Sequence, residues 1–173
     1  GFIPDVGILY YLAQAPGELG THVALTGNPI NATDAVLVGL ADEIDEADGE
    51  APASQLAAWQ GWIDECYATD DPAEVLARLE AHADPDANAA AADLRKRCPL
   101  SVAVTLEAIR RAKGMGSVEE VLAQDLTVAR HLIPRPDFVE GVRAQLVDKD
   151  RNPVWQHARV EDVTRDEVLA CFA

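Results

Sequence analysis

One acid in this chain sits where proton transfer would be chemically reasonable. Gly1-Phe2-Ile3-Pro4-Asp5-Val6-Gly7 is a turn-rich opening that carries a single carboxylate in an apolar setting. Flanked by Phe2, Ile3, Pro4 and Val6, Asp5 is expected to be partly desolvated, a setting that suits acid–base work. A second local reading makes Asp5 the cap of the helix suggested by Ile8 to Ala13. The local sequence leaves both open. Other reactive residues offer less. Cys66, Cys98 and Cys171 are far apart and lack CxxC spacing. They argue against a disulfide framework or zinc site and fit a reducing cytoplasm. His22, His82, His131 and His157 are scattered too, so no metal cluster or Cys-His dyad is expected.

The elements that would position Asp5 read as mostly helical. Pro16-Gly17 breaks the first helix, and a second runs from about Glu18 to Thr26, with Gly27 as its left-handed terminator. Thr33 or Asp34 is expected to cap a short helix that ends at Gly39. Ile44, among acids, makes at best a short strand. Residues 45–53 read as a solvated acidic loop. Ser54 to Ala68 forms an amphipathic pattern with Leu56, Trp59, Ile63 and Cys66 on one face. Trp59 and Trp62 are expected in the core or at an interface.

Asp71-Pro72 opens a helix to about His82, and Asp84-Pro85 leads into one that ends at Arg97, where Cys98-Pro99 breaks it. Ser101 to Lys113 follows, stopped by Gly114-Met115-Gly116. Ser117-x-x-Glu120, Asp137-x-x-Glu140 and Thr164-x-x-Glu167 each match a capping box. Glu140 and Arg143 are spaced to pair on one helix face, and Asp148-Lys149-Asp150 reads as a structural ion-pair cluster. Phe138 and Trp155 are expected to anchor the C-terminal stretch. No internal repeat and no glycine-rich phosphate loop is found.

The 173 residues, 49% of them hydrophobic, suffice for a globular core. No apolar run approaches the ~20 residues of a membrane-spanning helix. Thirty acidic residues against fourteen basic ones give a net charge of −16. That field disfavours nucleic acid and anionic membranes as partners. An anionic ligand would need local basic residues, and Arg95-Lys96-Arg97 and Arg110-Arg111-Lys113 are the two clusters available. A solvated helix face is the alternative reading for each.

Gly1 to Gly7, then Leu25-Thr26-Gly27, then Asp34-Ala35 with Gly39-Leu40-Ala41-Asp42, follow one another as in the crotonase superfamily. Further on, Asp137-Phe-Val-Glu-Gly-Val-Arg-Ala144, Leu146-Val-Asp-Lys-Asp150 and Pro153-Val-Trp155 resemble the C-terminal signature of 3-hydroxyisobutyryl-CoA hydrolases. The resemblance implies an α/β crotonase-like fold, of which this chain is the C-terminal, mostly α-helical portion. Residues 1–44 would end the crotonase core and carry the catalytic Asp segment, 45–97 would be a helical insert, and 98–173 a helical region bearing the signature.

By the same resemblance the substrate is an acyl-CoA, no cofactor is needed because CoA belongs to the substrate, and the reaction is thioester hydrolysis in valine breakdown. Asp5 would work beside a Glu upstream of Gly1, where the oxyanion-hole donors also lie. The chain alone would then be inactive, and the upstream portion of the same protein becomes its expected partner, with a homo-oligomer as a further expectation. Hydratases carry Gly where this chain has Asp5, while some isomerases also carry Asp. An enoyl-CoA hydratase or isomerase and a non-catalytic helical assembly module are the alternatives. The chain departs from the family after Gly7, where Ile8-Leu9-Tyr10-Tyr11 replaces further glycines, which implies a narrower or differently shaped pocket.

Overall fold

The computed structural model describes residues 1–45 and 49–173. Ten α-helices follow one another among these residues: α1 (Ile8–Leu12), α2 (Leu19–Thr26), α3 (Ala32–Leu37), α4 (Gln55–Tyr67), α5 (Pro72–Ala81), α6 (Pro85–Lys96), α7 (Pro99–Ala112), α8 (Val118–Leu132), α9 (Pro136–Val142) and α10 (Arg165–Ala170). A π-helical turn, Arg143–Val147, extends α9, and a 3-10 turn, Val160–Asp162, precedes α10. No strand occurs among the described residues, and Ile44, at best a short strand by sequence, lies in irregular chain. No helix of the described residues is long and apolar enough to cross a membrane.

Local chemistry sets most helix ends. Ser54, Asp71 and Asp84 each accept a backbone N–H at the start of α4, α5 and α6, which satisfies donors that the first turn leaves free. Pro72 and Pro85 follow two of these caps, where a missing N–H removes nothing from the helix. Pro99 does the same for α7, so that helix starts at Pro99, two residues before the expected Ser101. Gly27 closes α2 with φ 58°, its N–H donated to the Val23 carbonyl, as expected. At α10 the Thr164–Glu167 box forms in both directions.

Three expected caps are different in the fold. Asn31, not Thr33 or Asp34, caps α3 by accepting the Asp34 N–H. Asp34 is withdrawn from that role because its buried carboxylate takes the Ser54 hydroxyl (2.6 Å) and the Leu56 N–H (3.1 Å). Ser117 accepts from Glu120 N–H, but Glu120 turns to the Gly116 N–H instead of returning the bond. Asp137 caps nothing. It is buried, accepts the Gln156 N–H at 2.8 Å and lies against the Cys98 thiol, while α9 starts at Pro136 with no side-chain cap. Within the expected loop 45–53, residues 46–48 lie outside the described ones, and Gly49 to Ala53 are exposed.

The core is organised about α7, buried along almost its whole length and packed on α1, α2, α5, α10 and the 3-10 turn. Val104, Leu106 and Ile109 are fully enclosed, and each contributes roughly 1.5–3 kcal/mol of apolar burial. Leu56, Trp62, Ile63 and Cys66 bring α4 into the same core, with Trp59 half-buried at its edge. The pair α1–α2 packs so closely at Gly20 that any Cβ there would run into the Leu12 carbonyl oxygen. Buried side chains from 1–44, 45–97 and 98–173 thus share one core.

Candidate active site

Asp5 sits on a turn whose backbone is unusual twice over. Val6 has φ 54° and Gly7 φ 79°. A β-branched residue in the left-handed region is a true outlier, and such strain collects at functional sites. Gly7 is required here on two counts: its positive φ, and the 2.8 Å that would separate an added Cβ from Val118 Cγ2.

The turn decides what surrounds the acid. Ile3 and Gly7 turn inward and are buried, whereas Val6 is 78% exposed and Asp5 itself is exposed. The expected apolar cover is therefore not there. Nor does Asp5 cap α1: the N-cap position is Gly7, with no side-chain bond, and Asp5 contributes only its backbone carbonyl to Ile8 N–H at 3.3 Å. Its carboxylate accepts no hydrogen bond within the described chain. A free carboxylate on a rigid turn can take or give a proton at whatever is presented to it.

Residues leading to Asp5 form one wall of a cleft. The cleft has a volume of about 810 Å³ and is lined by Gly1 to Pro4 and by side chains that include Leu25, Val102, Phe138, Val142 and Trp155. Ile8 to Tyr11 are absent from its lining. They enter α1, where Leu9 and Leu12 face the core, so the replacement of glycines here builds a helix and does not narrow this cleft.

The two basic clusters are largely committed inside the fold. Arg95 grips Glu80 at 2.7 Å and Glu161 at 2.8 Å, and Lys96 meets Asp93 at 3.0 Å. Arg97 differs: it donates to the neutral Asn28 amide oxygen, forms no ion pair among the described residues, and lines the cleft. Arg110 is no solvated face. Its mostly covered guanidinium joins Glu18 and Asp70 to the Tyr67 and Thr69 carbonyls. Arg111 pairs with Glu107 over the Phe172 ring, and Lys113 with Glu18.

The signature segment is held together as its spacing suggests. Arg143 bridges Glu140, Asp148 and Asp150 at 2.7–2.8 Å. The Glu140 carboxyl is held down at about 2, first by Arg143 and then by the Val154 N–H. Phe138 meets Phe2 edge-on, and Trp155 donates its indole N–H to the Lys96 carbonyl.

A second acid joins Asp5 that motif reading missed. Asp125, on α8, is only 5% exposed, and its Oδ2 accepts the Gly7 N–H at 2.8 Å. Its Oδ1 is buried with no hydrogen-bond partner. Burial pushes its carboxyl above the usual range; the Gly7 bond opposes this and the Asp5 charge adds to it. One signal was available in the sequence: Asp125 falls on the same helical stripe as Val121, Val128 and Leu132, all buried.

Comparison with known proteins places the chain in a family. A family model described as enoyl-CoA hydratase/isomerase matches residues 1–49 and 43–172. The chain belongs to the enoyl-CoA hydratase/isomerase family. Among solved structures, it resembles a carnitinyl-CoA dehydratase from Mycobacterium thermoresistibile at 42% identity and a TM-score of 0.93, covering 100% of this chain and 56% of that one. 3-Hydroxyisobutyryl-CoA hydrolase 1 of Arabidopsis thaliana is 29% identical over 99% of this chain and 55% of its own length. The small ribosomal subunit protein mS47 of the same plant is also 29% identical, over 99% and 51%. The chain spans about half the length of the curated relatives it matches. It is the mostly helical, C-terminal portion of the crotonase-like fold.

Proposed function

We propose that the gene product carrying this chain hydrolyses the thioester of 3-hydroxyisobutyryl-CoA, or of a close short 3-hydroxyacyl-CoA, to free acid and CoA, as a step of valine breakdown. The observation that carries the reading is the free Asp5 carboxylate on its strained turn, directly after the segment that walls the cleft. Water adds to the acyl carbon, the carbon–sulfur bond breaks, and the departing sulfur takes a proton. Two carboxylates in different surroundings can divide the acid and base roles; here these are Asp5 and a Glu from the upstream part of the protein. Upstream backbone N–H groups stabilise the oxyanion, and Arg97, without a carboxylate partner among the described residues, supplies local positive charge for a CoA phosphate. The free, buried thiols Cys66, Cys98 and Cys171 suit a reducing cytoplasm.

A second reading rests on the 42% identity to a carnitinyl-CoA dehydratase, which exceeds the likeness to the hydrolase. In that case Asp5 moves protons on the acyl chain and the thioester survives. The likeness to mS47 supports a third, an assembly role in which Asp5 does no chemistry.

One assay separates these. Free thiol released from 3-hydroxyisobutyryl-CoA is measured for wild type and Asp5→Asn. The hydrolase reading expects release that falls about 100-fold or more in the variant. Hydration of an enoyl-CoA without thiol release replaces it with the second reading, and no turnover of either kind leaves the third.

A further inference from the structure

We propose that Asp125 is a positioning residue for Asp5, holding the Val6–Gly7 turn in its left-handed form through the Gly7 N–H. This rests on the reading of Asp5 as the reacting carboxylate. The two acids are 120 residues apart in sequence and meet only because α8 packs on α1.

The geometry favours a positioning role over a packing one. Asp125 lies on the buried stripe of α8 between Val121 and Val128, among apolar side chains that need no hydrogen-bond partner. A carboxylate there gains one hydrogen bond and leaves Oδ1 enclosed without a donor, and an unpaired buried oxygen is unfavourable to stability. What the bond secures is specific. Left alone, Val6 would relax out of the left-handed region, Gly7 N–H would rotate away, and the Asp5 carboxylate would leave its direction. Asp125 fixes the far side of that turn to a fifteen-residue helix. The Val118 methyl against Gly7 seals the same turn from above. A shift of about 1 Å at a reacting group can lower a rate by roughly two orders of magnitude, so a single N–H bond has leverage here.

The test uses the gene product carrying this chain, with acyl-CoA turnover measured as kcat and KM for wild type, Asp125→Ala, Asp125→Asn and Asp125→Glu. Val121→Ala, on the same helix face, serves as the control for lost stability. Folded fraction is followed by near-UV circular dichroism, and rates are expressed per folded molecule. Asp125→Ala should lower kcat at least 10-fold with KM changed less than about 2-fold. Asn keeps an oxygen at the same reach and should restore at least a third of wild-type kcat. Glu keeps the charge at the wrong reach and should not, while Val121→Ala should lower the melting temperature and keep kcat. Full kcat in Asp125→Ala overturns the positioning role and leaves the Asp5 reading standing. So does recovery by Glu and not Asn, which would make charge, not reach, the operative property. A wild type that neither releases thiol nor hydrates an enoyl-CoA overturns both.

Discussion

The Nδ1 of His22 on α2 lies 2.9 Å from the Tyr67 hydroxyl at the end of α4, both side chains enclosed. Trp59 and Trp62 pack edge-on against the same imidazole. Desolvation holds His22 neutral, with its pKa lowered to about 4, and burial pushes the Tyr67 phenol up.

That pair predicts how stability follows pH. The unfolded imidazole protonates near 6.5 and the folded one near 4, so between these values the unfolded state binds more protons. Stability is therefore undiminished by His22 above pH 7 and falls as the pH drops from about 6.5 to 4, by about 3 kcal/mol in all. Urea unfolding across that range, beside His22→Phe, measures it. The variant should lose most of the slope. Equal slopes in both proteins would assign it to other groups.

Tyr67→Phe removes the hydroxyl and leaves a buried imidazole nitrogen without its partner. The expected loss is about 1–3 kcal/mol, read at neutral pH by thermal or chemical unfolding.

Asp34 joins α3 to α4 through the Ser54 hydroxyl and the Leu56 N–H. Asp34→Ala strands a buried main-chain donor and should lower stability by about 2–3 kcal/mol. Ser54→Ala removes both that contact and the α4 cap, for about 1 kcal/mol. The double variant should fall short of the sum, because the two share a bond.

Arg110 gathers two carboxylates and two main-chain carbonyls on one guanidinium. Arg110→Ala should destabilise by about 3 kcal/mol, since covered acceptors lose their donor. Arg110→Lys should recover less than half, because an ammonium cannot span the same fork. Denaturant midpoints of the three proteins give the comparison.

Asp5→Asn should leave stability within about 0.5 kcal/mol of wild type. The side chain is exposed and accepts no bond among the described residues, so any loss of turnover in this variant reports on chemistry. A drop of several degrees in melting temperature would contradict the open placement of Asp5.

Four helix starts were readable because their capping bonds are local. Ser54, Asp71, Asp84 and Thr164 cap as their neighbours suggest, because donor and acceptor are two or three residues apart. Acids whose partners come from distant sequence were misread. Asp34 and Asp137 match local capping patterns, yet each is drawn to a backbone N–H of another element. The exposure of Asp5 was hidden for a similar reason. Its neighbours are apolar, but the left-handed Val6 sends the chain around so that they do not cover it. The wall of the cleft and the lack of an ion pair at Arg97 among the described residues depend on packing across several elements, which no spacing encodes.

The 30 acids of this chain are alike to a charge tally, and the fold divides them. Asp34, Asp64, Asp125 and Asp137 each reach a main-chain N–H of a distant segment, at Leu56, Glu18, Gly7 and Gln156. These four are joints between elements, and the short aspartyl arm sets the gap each joint spans. An exchange for glutamate, neutral on any scale of residue similarity, would lengthen the arm by a methylene and misfit the joint. Natural drift and surface-charge engineering alike should stop at these four joints.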